Sequence, residues 1–164
     1  MNYHLNIKMF IFPFSKNKNM EQIVDFPDPA TYNYPEEVKL PDGTLLMGRT
    51  PGESPLIMNR KKWRLYPTFK VISYDYDKLE LVVQSTQNGV IYKMPKDPIT
   101  QSILYHLLDN PGSTPEQVVS ELLAWGQQNG IDLLSNNDRM FTWASYMYDT
   151  ISLLITHGLI KIEK

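Results

Sequence analysis

The segment of residues 86–123 constrains the fold most, because its sequence TQNGVIYKMPKDPITQSILYHLLDNPGSTPEQVVSELL combines a turn signal with two helix starts in close succession. Asn88-Gly89 predicts a two-residue hairpin turn, since both residue types tolerate a positive φ. Asp97 is suited to cap a helix that begins at Pro98, where a missing N–H costs nothing. A hairpin followed at once by a helix is therefore predicted.

Two more helices and a terminal strand follow in the sequence. Thr114 and Gln117 have the spacing of a capping box, which predicts the start of the second helix. Asp138 is a candidate cap for the third helix, and Gly158 is suited to end it. Beyond Gly158, the sequence LIKIEK predicts a short strand. Apolar residues recur at helical spacing in all three helices, with the third stripe formed by Phe141, Ala144, Met147, Tyr148, Ile151, Leu154 and Ile155.

Residues 69–94 contain three runs rich in β-formers, which predict three strands. Asp75–Lys78 predicts the turn between the first two strands, and Asn88-Gly89 the second turn. The predicted fold class is therefore α+β and winged-helix-like. It has a three-stranded antiparallel sheet followed by three helices and a short terminal strand.

The chain divides by composition near residue 68. Residues 1–68 predict a Pro-rich N-terminal arm with short strands, partly disordered, because seven prolines between residues 25 and 68 leave room only for short elements. Residues 69–164 predict the winged-helix-like domain. Either Met1 or Met20 could be the start of the protein. Tyr32, Tyr34 and Leu46 are candidate anchors of the arm.

Composition excludes several kinds of chemistry. There is no cysteine, so disulfides and thiolate sites are ruled out, and the formal charge of −2 is spread over both halves. The three histidines, His4, His106 and His157, have no neighbouring pattern that indicates catalysis or metal binding. We therefore expect a non-catalytic protein without a cofactor. No apolar run approaches the ~20 residues that span a bilayer, so we expect a cytoplasmic protein without a membrane partner.

Nucleic-acid binding is the first alternative. One basic cluster contains an aromatic residue, a combination that can contact phosphates and stack on a base, and it comprises Arg60, Lys61, Lys62, Trp63 and Arg64. The favoured interpretation of this cluster is a solvated loop before the first strand, with Trp63 packed inward. However, Arg139 is the only basic residue between Glu116 and Ile160, against five acidic ones. Such helices are poorly suited to a groove of negative potential. A winged-helix DNA-binding transcriptional regulator is therefore less favoured than a peptide- or protein-binding module.

The third helix has more aromatic residues than one core stripe needs. Trp143 and Tyr146 lie off the main stripe, so they could anchor a partner or pack beneath the N-terminal arm. A structural subunit that docks on a larger enzyme is a further alternative. The oligomeric state and the identity of a partner are left open.

Residues 69–162 resemble the PqqD-like winged-helix fold, the RiPP recognition element, which binds leader peptides of ribosomally made peptide natural products. The resemblance is carried by NGVIYKM, then ITQSILYHLLDNPGSTPEQVVSELL, then THGLIKIE. It implies a leader-peptide carrier for a peptide-modifying system, whose leader pairs with the third strand and lies against the third helix. The implied contact residues are Val90, Tyr92, Met94, Met147, Tyr148 and Ile151. Residues 1–68 have no counterpart in the small stand-alone members, and the arm from Tyr32 to Leu46 could itself occupy the groove.

Overall fold

The structure is a computed structural model that describes residues 22–32, 38–39, 45–46, 63–130 and 137–163, with side chains for 22–32, 63–130 and 143–163. Eight strands and three helices lie in these ranges. The strands are β1 (Ile23–Asp25), β2 (Val38–Lys39), β3 (Leu45–Leu46), β4 (Arg64–Pro67), β5 (Phe69–Asp75), β6 (Glu80–Ser85), β7 (Ile91–Lys93) and β8 (Ile160–Glu163). The helices are α1 (Pro98–Asp109), α2 (Pro115–Gln128) and α3 (Asn137–Thr156). The predicted α+β class with three helices is confirmed.

The main sheet has four strands in the order β1-β7-β6-β5. Strands β5, β6 and β7 form the predicted antiparallel meander. The fourth strand, β1, comes from the N-terminal region and pairs with β7 in parallel. The prediction of a three-stranded antiparallel sheet is therefore wrong in strand number and in direction, because a strand distant in sequence adds to the edge of the meander.

Strand β4 pairs with β8 in a separate antiparallel sheet, with Leu65 opposite Ile162. The other side of β4 contacts the turn between α1 and α2, where Leu65 N donates to Ser113 O at 2.8 Å. A third pair, β2 with β3, lies within the Pro-rich region. The predicted division at residue 68 stays a prediction, although strands from both sides of that position share two of the sheets.

The turn between β6 and β7 differs from the predicted two-residue hairpin. Ser85 N donates to Val90 O, so four residues lie between the pairing positions, and in this turn only Gly89 has a positive φ, of 77°. Asn88 instead uses its side-chain oxygen to accept a hydrogen bond from Val90 N at 2.9 Å. This side-chain bond gives the longer loop its shape without a positive φ at Asn88.

The helix ends follow the sequence signals closely. Asp97 Oδ1 accepts from Ile99 N at 3.0 Å, which confirms the cap of α1. Thr114 and Gln117 form both bonds of the capping box of α2. Helix α3 begins at Asn137, so the predicted cap residue, Asp138, lies inside its first turn. Gly158 has a φ of 80° and ends α3 as predicted.

The core lies between the main sheet and the three helices. Its largest fully buried side chains come from β4, β6, α1, α3 and the residue before β8. They are Leu65, Leu81, Ile103, Leu104, Leu107, Met147, Ile151, Leu153, Leu154 and Leu159. Strand β6 alternates between half-buried and buried residues along its length, as expected for a strand packed on helices on one face.

Candidate peptide-binding edge of the four-stranded sheet

The outer edge of β7 is the candidate site, because in this structure it pairs with an extended segment from elsewhere in the chain. Ile23 lies opposite Ile91, and Asp25 lies opposite Lys93. Immediately after β1, Phe26 N donates to Lys93 O at 2.9 Å. The edge therefore binds an extended chain through its main-chain groups, which is the basis of strand addition.

Hydrogen bonds identify which residues of β7 face outward. Lys93 O accepts from Phe26 N, whereas the next residue, Met94, donates its N–H to Leu81 O at 2.8 Å. Since neighbouring residues of a strand direct their backbone groups to opposite sides, Lys93 presents its backbone to β1 and Met94 to the β6 side. A change at Lys93 can therefore alter the outer edge without removing a bond to β6.

An aromatic socket, formed by Tyr32, Tyr92 and His157, lies at the end of β1. Phe26 is only 4% exposed, and its ring packs edge-on at 5.3 Å from Tyr92 and 5.0 Å from His157. The ring of Tyr32 lies 6.1 Å from that of His157 on the same cluster. Edge-to-face geometry is favourable for aromatic rings, so the socket prefers an aromatic side chain.

The imidazole of His157 is oriented by the end of α3. Its Nδ1 lies 3.0 Å from Leu153 O, which identifies Nδ1 as a donor to that carbonyl. The backbone carbonyl of His157 accepts from Asn88 Nδ2 at 3.3 Å, which connects this position to the β6–β7 turn. One wall of the socket is thus fixed by a helix end and a turn.

Tyr92 forms the other wall of the socket and is buried. Burial raises the pKa of its hydroxyl above the ordinary value of 10.0, and a side-chain hydrogen bond with Asn88 acts in the opposite direction. A tyrosine hydroxyl is neutral at physiological pH even at its ordinary pKa, so the socket has no phenolate charge. An apolar ring such as that of Phe26 suits these surroundings.

A tight turn after Phe26 returns the chain to the socket. Asp28 Oδ1 accepts from Ala30 N at 2.9 Å, and Asp28 O accepts from Tyr32 N at 3.0 Å. Pro29 is buried within this turn. The turn explains how Tyr32, six positions beyond Phe26, contacts the same histidine.

Within residues 22–26, most of the side-chain burial comes from one residue, Phe26. Ile23 is 55% exposed and Val24 is 42% exposed, and the side chain of Asp25 is 84% exposed. Burying a phenylalanine contributes about 1.5–3 kcal/mol, with about 0.5–1.5 kcal/mol for each edge-to-face contact. Ordering each strand residue costs about 1–2 kcal/mol. These contributions are similar in size, so docking of β1 depends on Phe26.

A surface depression of about 550 Å³ lies where β1 and β7 end. The floor includes Phe26 and Met94, and the rim is charged. On that rim, Lys93 Nζ lies 3.9 Å from Asp25 Oδ1. Since β1 and its turn supply part of the lining, the depression belongs to the strand-addition site and changes if β1 leaves.

The predicted peptide-contact residues lie mainly in the core. Tyr92, Met94, Met147, Tyr148 and Ile151 are all buried, while Val90, Trp143 and Tyr146 are half-buried. The structure places Tyr92 in the socket. Their burial means that an added strand contacts β7 through its outward backbone groups, with which β1 pairs in this structure, rather than through these side chains.

Two of the half-buried residues contact each other and α1. The rings of Trp143 and Tyr146 pack edge-on at 6.3 Å, and the hydroxyl of Tyr146 donates to Asp97. Tyr146 therefore connects α3 to the cap of α1.

The predicted nucleic-acid cluster is described only in part. Arg60, Lys61 and Lys62 lie outside the described residues. Trp63 is 3% exposed, so its ring is inaccessible for stacking on a base, and Arg64 Nη1 donates to Gly112 O at 3.1 Å. In the described part of this cluster, therefore, Trp63 packs into the core and Arg64 contacts the turn between α1 and α2.

Sequence reasoning missed the segment that occupies the edge. It expected Tyr32–Leu46 as the possible occupant, whereas Ile23–Asp25 pairs with β7 and Phe26 fills the socket. Tyr34 lies outside the described residues, and the side chain of Leu46 is not described. The available signal was the sequence IVDFP, a short apolar run that ends in an aromatic residue before a proline.

Comparison with known proteins gives no relative for this arrangement: the chain matches no protein-family model, and no curated protein or solved structure is significantly similar to it. Within the described ranges, no helix is both long enough and apolar enough to cross a bilayer. The same ranges contain no group of three or more histidine, aspartate or glutamate residues arranged to bind a metal ion.

Proposed function

We propose that the protein is a non-catalytic module that binds an extended segment of a peptide or protein partner by strand addition at the outer edge of β7. One observation carries this proposal. The edge already pairs with a three-residue strand, β1, whose following residue places an aromatic ring in the socket. Main-chain pairing supplies affinity, and the socket supplies selectivity for an aromatic side chain.

The concrete form of the proposal is a leader-peptide carrier for a peptide-modifying system in the cytoplasm. The likeness of residues 69–162 to PqqD-like winged-helix proteins supports it, since there a leader pairs with the third strand of the meander. That strand corresponds to β7, and His157, directly after α3, contacts Tyr92 of this strand. A likeness of fold is analogy, so the function is argued from the edge and the socket.

Nucleic-acid binding receives less support from the described residues. A buried Trp63 is unsuited to stacking, and the exposed face of α2 has Glu116 and Glu121 without a basic residue in the helix. Salt separates the two functions. Phosphate contacts lose affinity steeply as salt rises, whereas strand addition with an apolar anchor changes little.

The test is capture of partners from native lysate by the full chain and by two variants, with and without nuclease. Lys93→Pro removes the outward N–H of β7, because proline has no backbone donor. Lys93→Ala is the matched control, since it removes the same charge but keeps that donor. Bound proteins are identified by mass spectrometry, and their segments are then tested as synthetic peptides that compete for the chain.

The proposal predicts a nuclease-resistant partner that binds the native chain and, somewhat less tightly, Lys93→Ala, but not Lys93→Pro. Its binding should be nearly constant from about 50 to about 200 mM salt. Circular dichroism of each variant checks that the fold is intact. Equal capture by folded Lys93→Pro would exclude strand addition at this edge, and loss of capture on nuclease treatment would favour nucleic-acid binding.

A further inference from the structure

We infer that residues 22–32 form an internal placeholder, which occupies the β7 edge until a partner segment with an acidic residue followed by an aromatic residue displaces it. The inference rests on the proposed function and adds to it the chemistry of the partner and the origin of competition for the site. The partner is a segment of a separate protein, and it runs parallel to β7 as β1 does.

The placeholder shows which partner features the edge can recognise. Only Phe26 is deeply buried among the residues of β1 and the position after it, and its ring contacts Tyr92 and His157. Just before it, Asp25 lies near Lys93, with 3.9 Å between the charged atoms. A partner segment therefore needs an aromatic residue for the socket, preferably preceded by an acidic one.

The remaining positions of the partner are weakly specified. Ile23 and Val24 are largely exposed, so their contribution is main-chain pairing and β-propensity. The pattern that fits is thus two β-forming residues, an acidic residue and an aromatic residue. The short turn from Asp28 to Tyr32 closes the socket from the C-terminal side, and an equivalent turn is a further feature of a good competitor.

Displacement is possible because the placeholder can leave without opening the main core. The fully buried leucine and isoleucine residues belong to the strands and helices from β4 onward. Release of residues 22–32 exposes mainly Tyr92 and His157, while the meander β5–β7 keeps its own ladder. As part of the same chain, the placeholder has an effective concentration on the order of millimolar. A partner displaces it when the ratio of the partner's concentration to its Kd exceeds the same ratio for the placeholder.

The probe is a fluorescent synthetic peptide with the sequence of residues 22–32, QIVDFPDPATY, and its binding to full chains is measured by anisotropy. Phe26→Ala in the chain removes the anchor of the placeholder and leaves Tyr92 and His157 in place. We expect this variant to bind the peptide at least about 10-fold more tightly than the native chain, in which the site is filled in cis. The same peptide with alanine at the phenylalanine position should not bind.

Two controls make the result specific to the edge. Phe69→Ala removes another buried phenylalanine of the same sheet, on β5 at the opposite side, and should not increase peptide binding. In the second control, Asp25→Cys and Lys93→Cys are added to the Phe26→Ala chain. The chain has no cysteine of its own, and the two positions are direct neighbours in the ladder, within reach of a disulfide. Oxidation should abolish peptide binding, and reduction should restore it.

Each outcome decides the inference. Tighter binding to Phe26→Ala that is blocked by oxidation supports the placeholder. Equal binding to the native and Phe26→Ala chains overturns the placeholder but leaves strand addition at β7 intact. If the peptide binds neither chain, both the placeholder and strand addition at β7 are excluded. A doubled molecular mass of the native chain in solution, with the segment exchanged between two copies, would replace the separate partner by a second copy and so overturn the inference.

A second measurement applies to the native chain and does not require a variant to fold. The Phe26 amide donates to Lys93 O, and the Met94 amide donates to Leu81 O inside the meander. If the placeholder opens independently of the core, the Phe26 amide should exchange its hydrogen on the order of 100-fold faster than the Met94 amide. Equal exchange rates would show that residues 22–32 leave only with global unfolding, which contradicts the inference.

Discussion

The hydroxyl of Tyr146 on α3 donates a hydrogen bond to Asp97, the residue that caps α1. Asp97 also accepts from Ile99 N and from the Thr100 hydroxyl, so one carboxylate joins two helices. This contact positions α1 against α3 directly after the β7 edge. This half-buried polar contact therefore adds to the apolar core packing that sets the relative placement of α1 and α3.

Replacing Tyr146 with phenylalanine tests this contact. We expect Tyr146→Phe to lower the free energy of unfolding by about 1–2 kcal/mol, because a hydrogen bond to a charged acceptor is lost. In an Asp97→Ser background, which keeps a capping oxygen, the same substitution should lower the free energy of unfolding by only a few tenths of a kcal/mol. Urea unfolding of the native chain, the two single variants and the double variant gives the coupling free energy between Tyr146 and Asp97. Additive losses of stability would show that their contact contributes nothing.

The junction between α3 and β8 predicts a difference between two glycines. Gly158 and Gly130 have almost the same φ, of 80° and 79°. A Cβ at Gly158 would lie 2.9 Å from Asn88 Nδ2 and 3.0 Å from Ser85 Oγ, whereas a Cβ at Gly130 would meet nothing within 4 Å. In both alanine variants the left-handed backbone conformation lowers the free energy of unfolding by about 1 kcal/mol. Gly158→Ala should lower it clearly more, because its Cβ clashes with Asn88 and Ser85. Equal melting temperatures of the two variants would exclude a close approach at Gly158.

Truncation of Phe26 should destabilise the protein less than truncation of a core residue of similar burial. Once the anchor is lost, residues 22–32 can undock, so the cost cannot exceed the free energy of docking. We expect about 1–2 kcal/mol for Phe26→Ala, against about 2–5 kcal/mol for Leu154→Ala in α3. Guanidinium unfolding measures both, and a larger loss for Phe26→Ala would mean that the N-terminal segment is part of the cooperative core.

Tyr92 predicts a stability change at alkaline pH. Its pKa is raised by burial, so the folded chain keeps a proton that the unfolded chain releases. The associated stability is present below about pH 10 and is lost as pH rises through the raised value. Tyr92→Phe removes this contribution, so its free energy of unfolding should fall less steeply above about pH 10. Burial also raises the pKa of Tyr74, but Tyr74 is present in both chains and so does not affect the comparison. Parallel curves of unfolding free energy against pH for the native chain and Tyr92→Phe would contradict the prediction.

The local features of this fold could be predicted from the sequence. The caps at Asp97 and Thr114 and the helix end at Gly158 depend on residues within a few positions, and the structure has all three. The meander was predicted for the same reason. The predicted length of the turn at Asn88 was wrong, because the shape of this turn depends on side-chain hydrogen bonds that the Asn-Gly pair alone does not reveal.

The candidate site was harder to predict because its contacts are distant in sequence. Nothing local to Ile23 indicates that Ile91 is its neighbour, and a three-residue strand has too little periodicity to identify. Trp63 is a different case. A large apolar ring is favoured in the core even beside basic residues, and the structure buries Trp63 as that preference predicts.

The pairing of β1 with β7 also sets an order of events during synthesis. Ile23 emerges from the ribosome sixty-eight positions before its partner Ile91, and at translation rates of about 5–20 residues per second this corresponds to several seconds. During that interval the edge that will receive Phe26 does not yet exist. On the proposed function, a partner already in the cell competes with residues 22–32 of the same nascent chain from the moment that β7 forms.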